Sequence, residues 1–197
     1  MSEDMVSSAL KRSEGVPNVT CMVADMTDLS AFEDGSVDVV TACYGYMFPE
    51  DKALALQETH RVLKPGGTLI ATYWLEMQML PLLSEVMTAV LGQTPPPPPQ
   101  NPLSLKEPGL FESMLATAGF NPPTITESSY PFDLGKDADF QYKIGTMLVK
   151  PRLDELDAHA MAREVMFKRL PAFSTKQEDG SVMLGPNRFA MAVAVKP

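Results

Sequence analysis

The period of hydrophobic positions changes several times along the chain, and each change marks an element. Residues 4–13 read as the end of a helix, which Val16-Pro17-Asn18 interrupts. Val19, Cys21 and Val23 then alternate, predicting a strand that ends near Asp25. Asp34-Gly35 is a turn signal, and the run from Val37 to Cys43 is apolar on both faces, as in a strand buried in a parallel sheet. From about Glu50 to Leu63 a helix is predicted, because Ala53, Leu56, His60 and Leu63 share one face. Lys64-Pro65-Gly66-Gly67 stops it, and Thr68 to Trp74 reads as a further buried strand.

The second half is less regular. Residues 77–91 are apolar with Pro81 near the start, and Pro95 to Pro99 must be extended and exposed, reading as a linker or, alternatively, as a polyproline ligand for a partner domain. Leu110, Phe111, Met114, Leu115 and Ala118 share a helix face that ends at Gly119. Thr124 to Phe132 reads as a strand and residues 152–169 as one helix. At the end, Phe189, Met191, Val193 and Val195 alternate with Ala190, Ala192 and Ala194 as a last strand.

Strand, helix and strand at short spacing predict an α/β doubly wound sheet in three layers, with Val37 to Cys43 and Thr68 to Trp74 as adjacent parallel strands. The 197 residues fit a single domain, 1–197. No apolar stretch reaches the roughly 20 residues of a bilayer crossing, and the start lacks the basic and apolar pattern of a secretory signal, so a cytoplasmic location is expected. A net charge of -9 without a basic cluster argues against nucleic acid as a partner. Cys21 and Cys43 have neither zinc-site nor redox-pair spacing, and buried free thiols are the expectation.

Three stretches carry a resemblance in their order and spacing: Asn18-Val19-Thr20-Cys21-Met22-Val23-Ala24-Asp25-Met26, Ser36-Val37-Asp38-Val39-Val40, and Arg61-Val62-Leu63-Lys64-Pro65-Gly66-Gly67-Thr68-Leu69. Together they resemble the class I S-adenosylmethionine-dependent methyltransferases, in the type 11 group related to ubiquinone/menaquinone-biosynthesis enzymes. Tyr44-Gly45-Tyr46-Met47-Phe48-Pro49-Glu50-Asp51 is similar to a subset of that group, and Trp74 also fits. The resemblance implies a Rossmann-like, mostly parallel sheet with an antiparallel last strand. It implies residues 1–75 as part of the cofactor-binding core and 76–197 as substrate-side helices and C-terminal strands.

It also implies S-adenosylmethionine as cofactor and a small-molecule methyl acceptor. Asp25 would accept a hydrogen bond from the adenine amino group, and the Met26 amide would reach the ring. Met5, in the Ser2-Glu3-Asp4-Met5-Val6 stretch, would pack on the adenine or be ordinary core. Ala42, Cys43 and Tyr44 would flank the methionine moiety and the methyl group. Read alone, Asp25 is a turn or cap residue, and His60 on its apolar face is a satisfied structural histidine rather than a base.

The group's first strand, its G-x-G loop and the ribose-binding acid have no counterpart here, since Gly66-Gly67 follows a helix. The expectation is therefore an N-terminally truncated core, short by about 40 residues or one strand-helix-strand unit, with weak cofactor binding or none. A non-catalytic relic that binds a partner or oligomerises through an exposed sheet edge is the alternative. A nicotinamide-dependent oxidoreductase lacks its fingerprint loop.

Overall fold

The computed structural model describes residues 3–96 and 100–197. The readings that involve Ser2 and Pro97 to Pro99 lie outside the described residues. In chain order the elements are α1 (Glu3–Arg12), β1 (Val37–Cys43), α2 (Lys52–Val62), β2 (Leu63–Glu76), α3 (Met79–Leu91), α4 (Leu110–Thr117), β3 (Thr124–Asp133), α5 (Ala138–Gly145), α6 (Lys150–Glu155), α7 (His159–Arg169), β4 (Ser174–Lys176) and β5 (Val182–Val195). The sheet order is β1-β2-β5-β3, with β4 pairing to β5.

β1 and β2 are adjacent and parallel, joined through α2 by the short crossover that parallel pairing requires. β5 runs antiparallel to β2, as expected of the last strand, and to β3. The sheet is thus mixed, and the parallel pairing among the described strands is confined to β1 and β2. α2 starts where the Asp51 carboxylate accepts the Leu54 amide at 2.8 Å. It ends where the Lys196 ammonium donates to the His60 and Leu63 carbonyls, both at 2.7 Å, placing a cation at the negative end of the helix.

One sheet face is closed. Leu69, Ala71 and Tyr73 of β2 and Ala190, Ala192 and Ala194 of β5 pack with Leu56 of α2 and with Phe111 and Leu115 of α4. The opposite face stays partly open: Ile70, Thr72, Met191 and Val193 are half-buried, and Val39 is 53% exposed. α1 has no buried residue and does not close it. The described residues therefore build a two-layer core where three layers were expected, and β1, expected to be buried on both faces, is at most half-buried, at Val37, Val40 and Ala42.

A second core joins Leu82, Leu83 and Val86 of α3 with Leu153 of α6 and Ala162 and Met166 of α7, at the Leu134 and Leu184 end of the sheet. The single helix expected over 152–169 is two. Asp157 takes a left-handed φ of 48°, and His159 ties the pieces by meeting Asp154 at 2.8 Å and the Tyr142 hydroxyl at 2.9 Å.

The strand expected over Val19 to Asp25 does not form; that stretch is irregular, with one isolated bridge, Asp25 to Asp28. Alternation alone cannot hold a strand whose backbone donors and acceptors find no neighbouring ladder.

Candidate functional site

In α/β sheets, ligands bind outside the carboxyl ends of the parallel strands. Here those ends are Cys43-Tyr44 and Trp74-Leu75-Glu76, in register neighbourhood through the Cys43 to Thr72 pairing. Tyr44 leaves the strand with a positive φ of 54°, unusual for a residue with a bulky side chain. Its amide donates to the Thr72 hydroxyl oxygen at 3.1 Å. The turn lays the Tyr44 ring on Trp74, with centroids 4.1 Å apart and planes 5° from parallel. The Tyr44 and Tyr130 hydroxyls meet at 3.1 Å, and Phe189 and Phe132 pack edge-on around Trp74. Burial first, then the Tyr130 hydrogen bond, raise the Tyr44 phenol above its ordinary range, so this hydroxyl stays protonated and serves as a hydrogen-bonding group, not a base.

Below this aromatic cluster the loop after β1 is pinned to α2 by a 2.6 Å hydrogen bond between the buried hydroxyls of Tyr46 and Thr59. A β-carbon placed on Gly45 would sit 3.7 Å from both the Ala42 β-carbon and the Met26 ε-carbon. Met26 and its neighbour Asp25 are thereby beside the end of β1. Asp25 Oδ1 accepts from the Thr27 amide at 2.9 Å and the Thr27 hydroxyl at 2.7 Å, and those bonds hold its carboxyl below the usual carboxylate range. Its second oxygen has no partner among the described residues, so the local turn role leaves one acceptor free.

The device that holds the loop following this turn went unread in the sequence. Arg61 of α2 meets Glu58 at 2.8 Å, Asp34 at 2.6 Å and the carbonyls of Phe32 and Leu29 at 3.0 and 2.9 Å. Glu58 also accepts the Leu29 amide at 2.8 Å. The Arg61 hydrogen bonds, then the Leu29 amide, hold the Glu58 carboxyl down at about 2. The signal was an i,i+3 Glu-Arg pair on a helix beside an acidic loop.

Asp25, Met26, Ala42 and Tyr44 gather at one end of the sheet. Cys43 points to the open face and is exposed, and Cys21 is half-buried, so the thiols are free as expected but not buried. Met5 is 73% exposed on α1, which rules out the ordinary-core reading. His60 lies at the far end of α2, edge-on to Phe120, and its buried Nε2 has no hydrogen-bond partner. It is not the satisfied histidine expected; burial, then the Lys196 charge, lower its pKa and keep it neutral. Among the described residues no cluster of histidine, cysteine or acidic side chains could hold a metal ion, and no helix is long and apolar enough to cross a membrane.

Residues 1–71 match the family model described as a methyltransferase domain. Methyltransferase tpcH of Aspergillus fumigatus is 34% identical over 95 residues, which is 47% of this chain and 33% of that protein. A demethylmenaquinone methyltransferase of Staphylococcus aureus is 38% identical over 69 residues, 35% of this chain and 28% of that protein. The matches thus span about a third of the length of these curated relatives. Among solved structures, a putative methyltransferase from Bacillus halodurans superposes with a TM-score of 0.56 at 14% identity, covering 100% of this chain and 80% of that one. That likeness establishes the class I Rossmann-like fold.

Proposed function

We propose that the chain takes part in S-adenosylmethionine-dependent methyl transfer to a small-molecule acceptor, a reading supported by the match of residues 1–71 to the methyltransferase domain model. The observation that carries this reading is the convergence of the family-matched segments at the carboxyl end of β1, where Met26 closes to 3.7 Å from the Gly45 position. The free oxygen of Asp25 suits the adenine amino group, the Met26 amide suits the ring, and Ala42, Cys43 and Tyr44 line the methionine side. Residues 1–75 then form the cofactor part of one unit, and 76–197 its acceptor side.

The bound cofactor supplies an electrophilic methyl carbon. The residues of this chain do the rest by alignment and exclusion of water, since an in-line displacement needs reactants held close more than it needs a base. Arg61 and Glu58 fix the loop from Leu29 that follows the Asp25 turn, Tyr46 and Thr59 fix the loop after β1, and the Tyr44, Trp74 and Phe189 rings wall the crevice against solvent. The protonated Tyr44 and Tyr130 hydroxyls orient the acceptor by hydrogen bonding. Affinity of the 197 residues alone is expected to be low, because among the described residues no glycine-rich turn links a strand to a helix.

Ligand-detected titration with S-adenosylmethionine tests this. Asp25→Ala should weaken binding roughly ten- to hundredfold, as loss of a charge-assisted hydrogen bond does. Asp25→Asn should do less and hold the thermal midpoint, whereas Asp25→Ala, which also loses the two Thr27 hydrogen bonds, should lower the midpoint slightly. A fall in the midpoint with unchanged affinity would reduce Asp25 to its turn role.

A second reading is favoured by one observation: β1 presents an outer edge that no described strand pairs, beside an open face bearing Val39. A non-catalytic module, or an oligomer formed through that edge, would use it for strand addition. Sedimentation that stays monomeric at high concentration would remove self-association from consideration.

A further inference from the structure

Tyr73 is only 4% exposed, yet its hydroxyl has no hydrogen-bond partner among the described residues. It is not sealed from water either, since the His60 Nε2 is the one fully shielded and unpartnered side-chain atom found among them. Solvent reaches the phenol through a cavity of about 330 Å³ on the closed side of the sheet, between the end of β2, β3, β5 and the loop entering α4. A buried hydroxyl left unpaired costs stability unless a ligand or ordered water completes it.

The charges around this hydroxyl are unbalanced. Glu76, Glu107, Glu112 and Glu127 line the cavity against Lys106 and Arg188. Arg188 is already committed, at 2.6 Å to Glu76 and 2.7 Å to Glu127, so the excess negative charge lies toward Glu112 and Glu107. Burial first, then Glu112 and Glu127, push the Tyr73 phenol up to about 12, which keeps it neutral with lone pairs to offer a donor. The carboxylates do not converge tightly enough to hold a metal ion. Leu75 and Ile125 add apolar wall that a bare inorganic cation would not use.

We propose that this cavity is a binding site for a small organic ammonium ion, whose N–H groups donate to the Tyr73 hydroxyl and the Glu112 carboxylate while its carbon body packs on Leu75 and Ile125. The site stands apart from the methyl-transfer reading, because its recognition uses neither Asp25 nor Tyr44.

Saturation-transfer NMR on the full chain at neutral pH, with phenethylammonium as probe and phenylacetate and 2-phenylethanol as shape controls, tests the site without any cofactor. Phenethylammonium should bind saturably and phenylacetate at least about tenfold more weakly. Tyr73→Phe should weaken the cation about fivefold, the usual worth of one hydrogen bond, and Glu112→Gln should weaken it as well. Lys106→Gln, on the exposed loop, should tighten it by removing a competing cation, which keeps the test sound if a substitution at Tyr73 disturbs folding. Equal binding of phenylacetate, no saturable binding, or cation affinity unchanged in the Tyr73 and Glu112 variants would overturn the assignment.

Discussion

The hydrogen bond between Tyr46 and Thr59 makes an asymmetric prediction. Thr59 Oγ1 donates to the Ala55 carbonyl at 2.9 Å, which uses its single proton, so the Tyr46 O–H is the donor in the 2.6 Å contact. Tyr46 is 2% exposed and Thr59 1%. Tyr46→Phe removes the donor and leaves Thr59 still bonded to Ala55, a change worth about 0.5 to 1.5 kcal/mol. Thr59→Val removes the acceptor and strands a buried phenol proton, worth about 1 to 3 kcal/mol. The double variant has no stranded group, so its cost should fall short of the sum by about 1 kcal/mol. Urea unfolding followed through Trp74, the single tryptophan, reads all three, because Trp74 stacks on the same loop through Tyr44. Equal single costs, or strict additivity, would refute the donor assignment and with it the claim that this bond fixes the loop carrying Tyr44.

The other expectations concern the loop and the thiols. Glu58, ordinarily near 4.5 and held at about 2 in the fold, has a lowered pKa, so its contribution is present above pH 4.5 and is lost as pH falls toward 2. Hydrogen exchange of the Leu29 amide should accelerate, relative to core amides, across that window; protection unchanged down to pH 2 would contradict it. Arg61→Met should open residues 25–36 to proteolysis while leaving the sheet intact, and uniform resistance would show that the loop holds without the clamp. Cys43, exposed on the open face, should react with a thiol reagent faster than half-buried Cys21; the reverse order would mean that something covers that face.

Sequence periodicity located what local physics decides. β1 begins and ends where its apolar run does, at Val37 and Cys43, and the alternation of Phe189 to Val195 with the alanines between them matches the open and closed faces of β5. Where an outcome depends on a distant partner, the pattern fell short. Val19 to Asp25 alternates like a strand but has no ladder to join, and Val39 is apolar but unburied because no described helix covers it. The helix break at Asp157 coincides with His159 bridging to Asp154 and Tyr142, contacts that no propensity encodes. Of the site residues named from resemblance, Asp25, Met26, Ala42 and Tyr44 fall together, while Cys43 turns to the open face and Met5 is exposed on α1. The parts that position them emerge only in the fold, which brings Tyr46 to Thr59 across 13 residues and Leu29 to the Glu58 of the Arg61 pair across 29.

The measurement that bears most directly on the cofactor site is a two-dimensional amide NMR spectrum of the labelled chain during addition of S-adenosylmethionine to millimolar concentration, where even weak binding registers. Saturable shifts confined to Asp25, Met26 and Thr27 and to the stretch from Ala42 to Gly45, and lost in Asp25→Ala, are the predicted result. Shifts absent throughout, or centred elsewhere and retained in Asp25→Ala, would contradict the placement of the cofactor at the carboxyl end of β1.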